Sequence, residues 1–209
     1  MNPIKTTTEI FNQYALDYQT KFMHVDLYHN SFDLFCNNIP TAHAQILEIA
    51  CGPGNITRYL LEKRPDFKIL GIDLAEKMVE LAKINNPTAE FVVMDCRNIH
   101  QLAQKYDAIM CGFCLPYLSK EEAVKLIKDT SALLQPNGVL YLSTMEDDYS
   151  KSGLQSSSSG DQTFMYFHQA DYLTQALEEN GFKMISLSRQ DYPTKDGTKT
   201  IDLLILAGK

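Results

Sequence analysis

Gln45-Ile-Leu-Glu-Ile-Ala-Cys-Gly-Pro-Gly-Asn55 is the stretch whose reading decides the fold. Its apolar run, Ile46, Leu47 and Ile49, reads as a buried strand, and Cys51-Gly52-Pro53-Gly54 breaks it into a tight turn. Asn55-Ile-Thr-Arg-Tyr-Leu-Leu61 then opens with a capping-type residue and carries helical apolar spacing. Strand, glycine turn and helix form the front end of a nucleotide-binding α/β unit. The glycines let a ligand approach the backbone, and the helix N-terminus offers free N–H groups. A dinucleotide fingerprint needs a third glycine three residues after Gly54, where this chain has Thr57. Glu48, just ahead of the glycines, would repel a pyrophosphate and suits a ligand that carries positive charge.

S-adenosylmethionine (SAM), with an ammonium and a sulfonium, is such a ligand. Glu48-Ile-Ala-Cys-Gly-Pro-Gly54 resembles the first motif of class I SAM-dependent methyltransferases, an acidic residue and an apolar one followed by glycine-rich positions. Ala50 stands where that family usually has its first glycine. Phe67-Lys-Ile-Leu-Gly-Ile-Asp73 reads as a second strand ending in a carboxylate. It lies about 20 residues past the glycine turn, where a second strand's end reaches a ribose. A carboxylate there can accept both ribose hydroxyls, and it also suits the start of the helix over Leu74–Lys83. Met78 faces back to the cleft or packs in the core.

Glu90–Asp95 reads as the third strand, again closed by an acid. The resemblance implies that Asp95 meets the adenine amino group and the backbone N–H of Cys96 its ring nitrogen. Tyr106–Leu118 is similar to the family's fourth motif, with Cys111 near the strand end. Many relatives carry paired histidines where this chain has Pro116 and Tyr117, positions that often face substrate. Ser119 and Glu122 form a capping box for the next helix, and Gln135-Pro-Asn-Gly138 turns into a fifth strand over Val139–Thr144.

Two amphipathic helices are expected over residues 7–39, the first capped by Thr7 or Thr8, with Ile10, Phe11, Tyr14, Ala15, Tyr18 and Phe22 on one stripe. Family members often lay such helices over the cofactor, which would bring Tyr14 and Tyr18 to cofactor or substrate. From Met145 to Gln162 the composition changes to acidic, serine and glycine residues, predicting a mobile loop and a candidate lid. His168 precedes a helix that ends at Gly181, and is read as a helix-start residue or a general base. Asp196-Gly197 predicts a hairpin between the last two strands.

The 209 residues fit one domain, and 44% hydrophobic with 22% charged residues is ordinary for a globular protein. A net charge of −7 without a basic cluster argues against a nucleic-acid partner. No apolar run is long enough for a signal peptide or a membrane span, which predicts a cytoplasmic protein with no membrane partner. Five cysteines without a secretion signal predict thiols, and Cys111-Gly-Phe-Cys114 alone supports no zinc site.

The sequence thus leads to an α/β, doubly wound Rossmann-like fold. The resemblance implies a seven-stranded sheet, mostly parallel with an antiparallel C-terminal hairpin strand. One domain over 1–209 carries a helical cap at 1–40 and a lid at 145–165. The implied cofactor contacts are Glu48, Ala50, Cys51, Gly52, Gly54, Asp73, Leu74, Met78, Asp95, Cys96, Cys111 and Tyr18, with SAM as cofactor and S-adenosylhomocysteine as product. The implied activity is methyl transfer to an oxygen or nitrogen of a small-molecule acceptor. Tyr117, His168 or an acid near Glu146 would serve as base, and no metal is needed. The alternatives are a non-catalytic SAM-binding sensor or partner subunit, a nicotinamide oxidoreductase and a thiol redox protein. Oligomeric state stays open.

Overall fold

A computed structural model describes residues 6–156, 161–193 and 199–209. The N-terminal stripe forms two helices, α1 (Thr7–Gln13) and α2 (Ala15–Phe22), rather than one. They divide at Tyr14, which leaves helical geometry and donates its hydroxyl to Asp161 Oδ2 at 2.6 Å. The cap is Thr6 rather than Thr7 or Thr8, in a reciprocal capping box with Glu9. A short 3₁₀ turn leads into α3 (His29–Asn37).

The strand–turn–helix reading holds: β1 (Gln45–Ile49) leads into α4 (Asn55–Lys63), followed by β2 (Lys68–Asp73), α5 (Glu76–Asn85), β3 (Glu90–Val93) and β4 (Tyr106–Cys111). Next come α6 (Lys120–Leu133), whose Ser119/Glu122 capping box is present, and β5 (Leu134–Glu146). The Gln135–Gly138 turn lies inside β5 as an irregularity. Leu134 pairs with Tyr106, and pairing with β4 resumes at Ala108 and Val139.

The acidic and serine-rich segment holds more order than its composition suggests. β6 (Gly153–Ser156) pairs antiparallel with β7 (Gln162–Met165) as a separate two-stranded sheet, placing Leu154 opposite Phe164. Ser157–Gly160, part of the expected mobile run, lies outside the described residues. α7 (Ala170–Glu179) ends in a Schellman-type cap. Gly181 adopts φ +83° and donates to Glu178, while the Phe182 amide donates to Leu177. β8 (Lys183–Pro193) and β9 (Lys199–Gly208) pair antiparallel, and the expected Asp196-Gly197 turn between them lies outside the described residues.

The main sheet runs β3-β2-β1-β4-β5-β9-β8. β1 to β5 are mutually parallel, and β9 is antiparallel to both its neighbours. Alternation along the strands fills two cores. Leu47, Ile49, Ile109 and Leu140 pack towards α6 and α7, while Ile46, Ile69, Met110 and Tyr141 pack with Phe32, Phe35 and Leu60 of α3 and α4. Chain order runs outward from β1 to β3, then jumps back across β1 to β4. That reversal opens a crevice at the carboxyl ends of β1 and β4, the place where open α/β sheets bind ligands.

Candidate functional site

The crevice is roofed by a turn of unusual backbone. Ala50, Gly52 and Gly54 have φ of +55°, +53° and +79°, the left-handed region that favours glycine. Gly54 is the N-cap of α4 and supplies no side-chain acceptor, so the helix start is left with open N–H groups. A Cβ at Gly54 would lie 2.3 Å from Asn86 Nδ2, because the Asn86 amide reaches under the turn to donate to the Gly54 carbonyl at 2.9 Å. Asn85 likewise holds the Pro53 carbonyl at 2.8 Å. Ala50 carries a side chain where the backbone calls for none, so Ala50→Gly is expected to raise stability by up to about 1 kcal/mol, read as an increased urea midpoint. An unchanged midpoint would mean that its methyl, packed on the core beside it, offsets the backbone strain.

Asp73, at the end of β2, ties the turn to the crevice. Its Oδ2 accepts the Gly52 N–H at 2.9 Å and its Oδ1 the Ala75 N–H at 2.8 Å. Burial raises its pKa, while the Ala75, Gly52 and Leu74 amides pull it back down. Helix α5 has Ala75 as its N-cap, which offers no side-chain cap, so Asp73 organises the turn ahead of the helix rather than capping it.

The resulting cleft encloses about 870 Å³, counting its open mouth. Of the residues singled out in the sequence, Tyr18, Ala50, Gly52, Asp73, Leu74, Met78, Asp95, Cys96 and Tyr117 line it together. Asp95 caps the following 3₁₀ turn through the Arg97 amide and pairs with the Arg97 guanidinium at 3.1 Å. Helices α1 and α2 close over the turn: Tyr18 Cε1 stands 3.7 Å from where a Gly52 Cβ would be, and Asn55 donates to the Phe22 carbonyl at 3.0 Å. Phe11 meets Tyr18 and Tyr117 edge-on, with ring centroids 5.7 and 5.2 Å apart. Burial first, then the charges of Asp73 and Tyr192, push the Tyr18 hydroxyl up to about 12.

Other expected residues do not line the cleft. Glu48 is buried on the α4 side, where Thr57 Oγ1 donates to its Oε2 at 2.5 Å and its Oε1 has no partner. Cys51 and Cys111 are fully covered, and Gly54 serves the turn rather than the lining. Tyr14 is spent on Asp161. Glu146 is held by both Arg189 nitrogens, at 2.5 and 2.8 Å, away from the lining. His168 also lies outside the lining. It is completely buried, its Nε2 meets the Leu115 carbonyl at 2.8 Å, its Nδ1 meets the Tyr172 hydroxyl, and burial lowers its pKa. It pins the 3₁₀ turn Leu115–Tyr117 from behind.

Sequence reasoning did not single out Thr7, Thr8, Met94, Arg97, Phe113 or Leu118 as lining residues. Phe113 is the most telling, because it adopts φ +53° while its amide donates to the Ser143 hydroxyl at 3.0 Å, a fold-back with no local sequence signal. Among the described residues no cluster of His, Cys, Asp or Glu is arranged to hold a metal ion, and no helix is long and apolar enough to cross a membrane.

The strand order, the reversal between β1 and β4 and the glycine turn over the crevice define a Rossmann-like nucleotide-binding α/β protein. Residues 46–138 match the family model described as "Methyltransferase domain". The chain is 28% identical over 206 residues to malonyl-[acyl-carrier protein] O-methyltransferase of Priestia megaterium, covering 88% of this chain and 74% of that one. It is 36% identical over 78 residues to the putative methyltransferase 235L of Invertebrate iridescent virus 6, covering 37% of this chain and 29% of that one. Several other curated relatives are matched over less than half of their own length. Its fold resembles that of a SAM-dependent methyltransferase from Methanosarcina mazei, with a TM-score of 0.69 at 21% identity, covering 83% of this chain and 95% of that one. The chain is thus similar to methyltransferases over residues 46–138 and shares the fold of SAM-dependent methyltransferases.

Proposed function

We propose that this chain binds SAM in the crevice and transfers its methyl group to an oxygen or nitrogen of a small-molecule acceptor. The observation that carries the reading is the tie between the Gly52 amide and the Asp73 carboxylate, which sets bare turn backbone and a ribose acceptor side by side on one cleft wall. The residues fit the cofactor: Gly52 exposes backbone beneath Tyr18, each Asp73 oxygen keeps a lone pair after its backbone bond, and Asp95 and Cys96 line the far side. Asp73 would hold the ribose, Asp95 and the Cys96 amide the adenine, and the Ala50–Gly54 turn the methionine end. The cofactor supplies an electrophilic methyl whose leaving sulfur is already activated by its charge.

The chain's own task is to align the acceptor and exclude water. Phe11, Tyr18 and Tyr117 form the aromatic wall for that task. Tyr117 is a poor base at neutral pH, since burial raises its pKa, so it orients by hydrogen bonding. With Asp73 and Asp95 engaged by amides and Arg97, the described lining suits an acceptor that is already nucleophilic, a carboxylate or a neutral amine, better than an alcohol. In this reading residues 1–209 act as one domain, with 1–40 as its cap and 145–165 as its lid.

The test is the unfolding midpoint with S-adenosylhomocysteine and, separately, with NADH. Ligand at 100 times its dissociation constant adds about 2.7 kcal/mol, a rise of roughly 5–10 °C for a chain of this size. A rise with S-adenosylhomocysteine alone is expected. A rise with NADH alone would replace the reading with nicotinamide chemistry.

A further inference from the structure

The five cysteines are not distributed evenly. Cys36 lies on the buried face of α3, whereas Cys96 and Cys114 both line the cleft, with their sulfurs 3.6 Å apart. They come from different parts of the fold. Cys96 opens the 3₁₀ turn that follows β3, and Cys114 sits in the loop leaving β4, beside Phe113 and just ahead of the Leu115–Tyr117 turn. Cys111 closes β4 three residues before Cys114 and is buried in the same core. The C-x-x-C spacing in the sequence therefore marks only one of two possible partners for Cys114.

We propose that Cys96 and Cys114 form an oxidisable dithiol, a modification site that takes a small-molecule disulfide as its reagent and, once closed, competes with occupancy of the cleft. A disulfide needs a sulfur–sulfur distance of about 2.05 Å, so the two sulfurs must approach by roughly 1.5 Å, through side-chain rotation and movement of the turns that carry them. Both cysteines belong to the lining, so the bond forms on the cleft wall and changes its shape. Cys96 is the half-exposed member and attacks first; Cys114, 4% exposed, resolves. The Cys96 thiolate attacks one sulfur of the reagent R–S–S–R and expels R–S⁻, giving a mixed disulfide. The Cys114 thiolate then displaces the second R–S⁻ and forms the Cys96–Cys114 bond. The two thiol protons leave with the expelled thiolates as two R–SH, so the protein gives up two electrons and the reagent's S–S bond takes them. The hydrogen bond to Cys114, then burial, raise the Cys96 thiol above its ordinary value, so its small thiolate fraction sets the rate and the cross-link forms faster as pH rises.

The bond itself is independent of the methyltransferase reading; its consequence for ligand binding rests on that reading. Because coupling is reciprocal, a ligand that favours the open cleft must also disfavour the cross-link at equilibrium, and by covering Cys96 it is expected to slow its formation. The test treats reduced, full-length protein with oxidised glutathione and reads three quantities. Intact mass is expected to fall by two hydrogens with no retained glutathione, and peptide mapping to join Cys96 to Cys114. S-adenosylhomocysteine affinity is expected to fall roughly tenfold or more and to return with dithiothreitol. S-adenosylhomocysteine is expected to slow the cross-link, Cys96→Ser and Cys114→Ala to abolish it, and Cys36→Ala to leave it in place. A stable glutathione adduct, a Cys111–Cys114 bond, or a Cys96–Cys114 bond with unchanged affinity would each overturn the proposal. If the reduced protein binds no S-adenosylhomocysteine, the cofactor reading fails, and the mass and the mapped peptides still decide the dithiol.

Discussion

Asp73→Ala is expected to weaken S-adenosylhomocysteine binding by roughly 100-fold or more, since hydrogen bonds to a charged acceptor contribute about 1.5–3 kcal/mol each and two are at stake. The same change removes the acceptor of the Gly52 and Ala75 amides, so part of the loss would come from a slackened turn. Each orphaned amide costs about 1–3 kcal/mol, which would appear as a lower midpoint without ligand. Asp73→Asn separates the two effects. It keeps the volume and one carbonyl acceptor, so the unliganded midpoint should fall less than in the alanine variant. The charge and the second ribose acceptor are gone, so affinity should still fall by at least about tenfold. Calorimetric titration beside unliganded melting gives both numbers. Wild-type affinity in Asp73→Asn would show that the carboxylate serves the turn alone, and the ribose assignment would be withdrawn.

What the sequence disclosed follows from how local each signal is. β1, its turn and the start of α4 are encoded in eleven consecutive residues, and the Ser119/Glu122 box is a four-residue signal; both appear as read. Asp73 was legible because a parallel β-α-β unit fixes the distance from a first glycine turn to a second strand's end. Ala50 looked like a small departure from a glycine motif, and its φ of +55° shows that the fold holds alanine in the backbone shape the motif reserves for glycine. The remaining features depend on distant partners. Nothing near Tyr14 announces Asp161, which lies 147 residues away and coincides with the break between α1 and α2. His168 reads as a titratable group beside a helix, and only the fold presents it with the Leu115 carbonyl and removes it from the cleft. Cys96 and Cys114 are 18 residues apart, and their meeting depends on the parallel register that brings the ends of β3 and β4 to one crevice. The β6–β7 pair carries little local signal because each strand has only four residues and half of the eight are polar.

Glu48 supplies the second large effect, in stability rather than binding. Burial lifts its pKa from 4.5 to about 8, against the opposing pull of the Thr57 bonds, and Oε1 has no partner. A carboxyl raised in the folded state binds its proton more tightly there than in the unfolded chain. Its contribution is therefore complete below pH 4.5 and is lost as pH rises through 8. Asp202 adds a slope of the same sign at lower pH, since burial lifts it to about 6 against the pull of the Tyr28 hydroxyl. Glu48→Gln isolates the first contribution: it keeps an acceptor for Thr57 and never ionises. Wild type is expected to lose on the order of a few kcal/mol relative to Glu48→Gln between pH 5 and 9, measured by urea denaturation at fixed salt. Curves that run parallel would show Glu48 titrating as an exposed acid does and would remove the argument. A widening gap would give the two acidic positions of the nucleotide-binding unit separate duties. Asp73 meets the cleft, while Glu48 lies in the packing beneath it, where a neutral side chain serves the fold better than a charged one.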